Sequence, residues 1–222
     1  MKKNLSHSSV PKIVILAFII ISSTPFYSSA QSPAIKPAME KLKTGIQFEN
    51  NGQYHKAIKN YQQALALFKK LRTGDAIAVS LKRIGDVYHA LGQYEKSIEN
   101  YLQALTLFRK LGIEDAIVIT LNNIGTVYHL LGQYEKSIEN YQQALTLFRK
   151  LGKEDRVAAS LQNIGMVYDS RGQYDKAMEK FQEALVIARK LGQEDEIALS
   201  LDKIGTVYNY WGQYDKAIKN YQ

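Results

Sequence analysis

No cysteine occurs anywhere in the 222 residues. That absence excludes a disulfide framework, a thiol nucleophile and a lipid-anchored cysteine. Proline is almost as scarce: all four, Pro11, Pro25, Pro33 and Pro37, lie in the first 37 residues, so everything after them is free of obligate helix breakers. Tryptophan occurs once, as Trp211, and beyond residue 30 the only histidines are His55, His89 and His129. They form no H-E-x-x-H pair and have no cysteine to complete a zinc site, so neither a metal nor any other cofactor is expected. The serines form no G-x-S-x-G elbow.

Basic residues outnumber acidic ones, 29 to 21, for a formal charge of +8. Three of them, Lys2, Lys3 and Lys12, precede the apolar run 13–21, and "SSTPFYSSA" follows with Ser28 and Ala30 in small-x-small spacing. This order predicts a secretory signal peptide over residues 1–30, cleaved between Ala30 and Gln31, and hence an exported, periplasmic or secreted protein. A membrane anchor is the rival reading, but nine apolar residues fall well short of the about 20 that a bilayer core takes. Without the leader, 26 basic residues face 21 acidic ones. That mild excess tolerates an acidic partner and does not call for nucleic acid.

What the sequence has in abundance is itself. The tripeptide G-Q-Y begins at Gly52, Gly92, Gly132, Gly172 and Gly212, forty residues apart each time. Residues 91–112 and 131–152 differ at one position, Leu102 against Gln142. Other positions keep the same register: Leu81, Leu121, Leu161 and Leu201; Gly45, Gly85, Gly125, Gly165 and Gly205; Tyr61, Tyr101, Tyr141, Phe181 and Tyr221. All 14 glycines sit at repeat positions, counting Gly74 as an irregular first linker, and none remains for a phosphate-cradling loop.

Apolar residues within each unit fall three and four apart, as Leu81, Ile84, Val87, Tyr88 and Leu91 do, which is helical spacing. The spacing predicts one helix ending at Gly92, in the left-handed cap that glycine suits, and a second over about 93–110 with Leu107 facing inward. Glu114 and Asp115 then stand where anionic side chains satisfy the first N–H groups of the next helix. A glycine inside a helix costs roughly 1 kcal/mol relative to alanine. Gly85, Gly125, Gly165 and Gly205 therefore predict a compensating close approach by the paired helix.

The pattern L-x2-I-G-x2-Y, a G-Q-Y turn, then small-x3-Y/F-x2-A resembles the tetratricopeptide repeat. The resemblance covers about residues 38–222, with a forty-residue period in place of the usual 34, similar to kinesin light chain and bacterial arrays. HEAT and armadillo repeats share the period range and lack this Gly, Tyr and Ala arithmetic. The resemblance implies an all-α superhelix of antiparallel helix pairs. Its expected units, after a short linker at 31–37, are 38–77, 78–117, 118–157 and 158–197, with a truncated fifth at 198–222. Its function would be to bind protein without catalysis.

In that family the first helices line a concave groove that receives a peptide or a partner helix. Carried over by register, the groove positions are Lys82, Arg83, Asp86 and His89; Asn122, Asn123, Thr126 and His129; Gln162, Asn163, Met166 and Asp169; and Asp202, Lys203, Thr206 and Asn209. Asn123 and Asn163 occupy the place where long-period relatives use asparagine to grip a peptide backbone. The lysine and asparagine clamp of chaperone-binding members is broken here by Asp86 and Ala159. Lys69–Lys70, Arg109–Lys110, Arg149–Lys150 and Arg189–Lys190 end the second helices, where cations suit the dipole, and stack as a basic ladder.

The expected partner is thus a protein or peptide, with no nucleic acid and no small-molecule substrate. Self-association through an uncapped C-terminal end near Tyr210 and Trp211 is a further expectation. The alternative reading is a regulatory or substrate-recruiting segment of a longer enzyme, such as a caspase-like protease.

Overall fold

The computed structural model describes residues 33–221. The leader read over 1–30, its cleavage point and the first two linker residues lie outside them. The described residues form ten helices and no strands: α1 (Lys36–Asn50), α2 (Tyr54–Leu71), α3 (Gly74–Ala90), α4 (Tyr94–Leu111), α5 (Glu114–Leu130), α6 (Tyr134–Lys150), α7 (Glu154–Ser170), α8 (Tyr174–Leu191), α9 (Glu194–Tyr210) and α10 (Tyr214–Tyr221). None of them is long and apolar enough to cross a membrane. Residues up to Thr73 and residues from Gly74 on make two compact units.

The first unit is the antiparallel pair of α1 and α2. Pro37 lies in the opening turn of α1, where a missing N–H costs nothing. The Tyr61 ring lies against Gly45, where an added Cβ would stand 2.5 Å from it, and the Tyr61 hydroxyl donates to Glu49. After α2 the chain turns through Arg72 at φ 55°. Later turns use Gly112, Gly152 and Gly192 at that point, so the first linker keeps the left-handed geometry without the residue that suits it.

The second unit contains the pairs α3/α4, α5/α6, α7/α8 and α9/α10. Within it each second helix packs on the next first helix, α4 on α5, α6 on α7 and α8 on α9. The G-Q-Y turns are built alike. Gly92 has φ +69°, its N–H donates to the His89 carbonyl at 2.9 Å and the Gln93 N–H donates to the Tyr88 carbonyl at 2.9 Å. This double closure satisfies carbonyls that a helix end otherwise leaves orphaned. Lys96, Lys136, Lys176 and Lys216 reach back from the second helices over the faces of Tyr88, Tyr128, Tyr168 and Tyr208, at 5.3–5.4 Å from the ring centres.

The helix-interior glycines receive an aromatic ring. A Cβ at Gly85 would stand 2.7 Å from the Tyr101 ring, at Gly125 2.9 Å from Tyr141, and at Gly165 2.5 Å from Phe181. The Ser97 and Ser137 hydroxyls donate to the carbonyls of Gly85 and Gly125 at 2.9 and 2.7 Å. Small residues on both helices thus let the ring in. Tyr101 and Phe181 are completely buried, and a buried side chain of that size contributes about 1.5–3 kcal/mol. Phe108, rather than the expected Leu107, is the inward residue near the end of α4.

Two local expectations need correction. First helices begin at Gly74, Glu114, Glu154 and Glu194, ahead of the unit boundaries drawn at 78, 118, 158 and 198. Their acids do not cap: the residue before α5 is Ile113, which makes no side-chain cap bond. Instead Glu114 accepts from Lys150 at 2.9 Å, Glu154 from Lys190 at 2.9 Å, and Asp115 pairs with Lys153. Arg109 donates to Gln143 at 2.8 Å, and Arg149 lies 3.9 Å from Glu183. Half of the basic ladder, Arg109, Arg149, Lys150 and Lys190, is thus paired within the array. Such exposed pairs contribute at most about 1 kcal/mol each.

Candidate functional site

The site is built from the first helices of the second unit. Side chains tie neighbours together: Asn123 Nδ2 on α5 donates to Asp86 Oδ1 on α3 at 3.1 Å, His129 Nε2 on α5 is 2.9 Å from Ser170 Oγ on α7, and Gln162 Nε2 on α7 donates to Ser200 Oγ on α9 at 2.9 Å. Of the residues read from the register, Asp86 and Asn123 are brought together, while His129 and Gln162 each reach a serine of the next first helix. The ties also show which of them are already occupied.

Asp86 is the most heavily used. Its carboxylate accepts the Tyr101 hydroxyl at 2.8 Å, both oxygens accept from Lys82 Nζ at 2.8 and 3.1 Å, and Asn123 adds a fourth bond. Burial, and then the Asp86 charge, push the Tyr101 pKa far above the usual tyrosine range, so the phenol stays protonated and donates. In the next pair Thr126 Oγ1 is 2.8 Å from the Tyr141 hydroxyl. In the pair after that the partners are Met166, packed on the core, and Phe181. In these three pairs hydroxyl and polar residue are present together or replaced together; in the first unit the register position is Ile46 and the Tyr61 hydroxyl goes to Glu49 instead.

Asp86, Thr126 and Met166 therefore serve the aromatic residue of their own helix pair, which removes them from a free ligand-reading set. Lys82 and Asn123 are committed to Asp86. Gln162 is 4% exposed, because its long amide reaches Ser200 and the Glu196 carbonyl. It is a buried link between α7 and α9 and does not line the trough. His129 is partly buried, which lowers its pKa, and it sits against Ser170 and beside the Tyr134 ring at 5.9 Å. Lys203 pairs with Asp202 at 3.3 Å.

What remains on this face is concentrated toward α7 and α9. Asn163 and Asp169 are partly buried there, and Asn209 is exposed. Asn122 donates weakly to Val118 at 3.3 Å, while its Oδ1 and the Oδ1 of Asp169 are buried without a hydrogen-bond partner. Arg83 and His89 lie at the α3 end, partly buried, His89 6.1 Å from the Tyr94 ring. Register alone identified these positions. It missed Tyr101, Tyr141, Ser170 and Ser200, which decide how many of them are free.

Among the described residues no group of three or more His, Asp or Glu side chains is placed to hold a metal ion. A shallow depression of about 880 Å³ lies elsewhere, on the outer face of α6 beside the α7–α8 turn, lined by Glu139, Gln142, Lys150 and Arg171 among others. It has no buried reactive group. The arrangement offers hydrogen-bonding surface and charge.

Stacked antiparallel helix pairs presenting such a face define a protein-interaction scaffold of the α-solenoid class. The profile of the tetratricopeptide repeat matches residues 45–110, 116–190 and 171–222, and the chain belongs to that family. No curated protein matches the sequence significantly. Solved structures do. BtubC (BKLC) from P. vanneervenii is 23% identical with a TM-score of 0.71, over 84% of this chain and 86% of that one. A putative kinesin light chain with nearly identical repeats from Podosopora anserina is 19% identical with a TM-score of 0.72, over 86% and 93%. A Rap protein complexed with Competence and Sporulation Factor is 20% identical with a TM-score of 0.64; 95% of this chain covers 57% of it. At these identities the likeness is one of fold.

Proposed function

We propose that the chain holds a peptide segment of a partner protein along the first-helix face of its second unit, and so works as an assembly adaptor. The observation that carries this is the division of labour on that face. Repeated residues are used up in stacking, while Asp169 and Asn209 differ from their counterparts, Asn163 matches Asn123 alone, and the Asp169 Oδ1 has no hydrogen-bond partner. The similar Rap protein, complexed with Competence and Sporulation Factor, supports the reading by analogy of fold only. Peptide contacts of ordinary quality give micromolar binding, about 8 kcal/mol.

The test is selection of binders from a random dodecapeptide display library on the immobilised protein. Asn163→Ala and Asn209→Ala weaken the selected peptides about tenfold, one such contact being about 1.4 kcal/mol. Gln142→Ala, on the outer face of α6, leaves them unchanged. Peptides that respond to Gln142 and ignore both asparagines would move the site off this face.

Export belongs to the same proposal, on the strength of the leader pattern at 1–30. Protein recovered from the producing cell's envelope or medium begins at Gln31 on N-terminal sequencing. Intact Met1 in that material would remove the leader.

A further inference from the structure

We infer that Asp169 is the specificity residue of this trough, taking an arginine or lysine side chain from the bound peptide. This rests on the peptide-binding reading above and adds the chemistry of the ligand.

The argument starts from register. At this position the other helix pairs carry Glu49, His89, His129 and Asn209. His89 and His129 stand in the last turn of their helices, where positive charge suits the dipole; α7 has no basic residue in its last turn, and Asp169 puts a carboxylate there. A negative charge at a helix C-terminus is unfavourable against the dipole. An acid does occur at the same register in the first unit, and there the Tyr61 hydroxyl of the paired helix donates to Glu49. The fourth pair has lost that donor, because Phe181 stands where the others have tyrosine.

Asp169 is thus an acid in an unfavourable place, without the tyrosine donor that Glu49 has. Its Oδ1 is buried with no hydrogen bond. Lys203 lies near enough to act on it electrostatically, yet burial outweighs that help and raises the carboxyl pKa. Lys203 makes its ion pair with Asp202. The site therefore lacks a donor on Oδ1 and has only the partial charge compensation of Lys203; a guanidinium or ammonium group supplies a donor and a full charge. The carboxyl, turning about its Cβ–Cγ bond in a broad two-fold torsion, can bring either oxygen to an incoming fork of N–H groups, the arrangement in which arginine binds most strongly. Asn163, six residues earlier on the same helix, is the other hydrogen-bonding group the proposed function assigns to the segment.

A water molecule on Oδ1 is the competing account, and the experiment separates the two. Dodecapeptides selected on the immobilised protein show arginine or lysine enriched at one position. Asp169→Asn weakens them at least tenfold, replacing that basic residue by alanine in the peptide does the same, and the two changes together lose little more than either alone. Selection on Asp169→Lys turns the preference to aspartate or glutamate. Asp169→Asn keeps a melting temperature no lower than that of the parent protein, so the loss does not come from unfolding. Peptides that depend on Asn163 but ignore Asp169, with no basic residue enriched, overturn the inference and leave the trough standing. Failure to select any peptide sensitive to Asn163 or Asn209 overturns both.

Discussion

Gly125→Leu lowers the melting temperature of the purified chain by about 6–12 °C, corresponding to about 3 kcal/mol or more. The reason is local. Leucine is a far better helix former than glycine, so on an exposed face this change would stabilise. Here the first added carbon already stands 2.9 Å from two atoms of the Tyr141 ring. That ring cannot step aside, since Tyr141 is 2% exposed and its hydroxyl is held by Thr126. The Ser137 bond to the Gly125 carbonyl, at 2.7 Å, fixes the spacing of the two helices from the other side.

Even Gly125→Ala destabilises, by about 1–2 kcal/mol, and pairing it with Tyr141→Val restores part of the loss by making room. Thermal melts followed by circular dichroism decide the matter. A Gly125→Ala protein as stable as the parent would mean that the helices separate more easily than their packing implies.

The second large effect is at Asp86. Removing its carboxylate with Asp86→Ala leaves the buried Tyr101 hydroxyl without an acceptor and releases Lys82 and Asn123 from the bonds at 2.8–3.1 Å that now hold them. Hydrogen bonds to a charged group are worth about 1.5–3 kcal/mol, and an unsatisfied buried donor adds to the loss. The expected cost is about 2–3 kcal/mol.

The protein itself supplies the remedy, because the fourth pair manages the same junction with Met166 and Phe181. Asp86→Met combined with Tyr101→Phe should therefore recover most of the stability, while either change alone does not. Urea unfolding of the two single variants and the double variant measures the coupling. Additive losses would show that hydroxyl and acceptor do not act as a pair.

Much of this architecture was legible in the residues. The forty-residue return of G-Q-Y located every turn within a helix pair, because a left-handed position at a helix end leaves its mark as glycine. The helix-interior glycines announced a close approach, and the Tyr and Phe at their fixed distance downstream proved to be what approaches. The trough was less legible. Asp86, Thr126 and Met166 vary as a ligand-reading surface would, and only Met166 appearing together with Phe181 betrays that the variation follows the paired helix.

Gln162 was misplaced for a related reason. Its register neighbours Lys82, Asn122 and Asp202 are polar, and nothing in the periodicity says that one amide among them is long enough to reach Ser200 and become buried. Asp169 carried its signal in comparison only: an acid where two other repeats have histidine. Why it lacks a donor depends on side-chain positions that no spacing rule supplies.

The turns of this molecule are copies of one another, and α4 and α6 are copies apart from Leu102 and Gln142. A chain without residues 113–152 would run from Gly112 straight into Lys153, and α4 would meet α7 with nearly the surface that α6 now offers it. Unequal exchange between the two matching stretches of the gene can therefore add or delete a whole rung with reading frame and fold intact. Length becomes something inheritance can adjust in discrete steps, ahead of any change in the residues that choose the ligand.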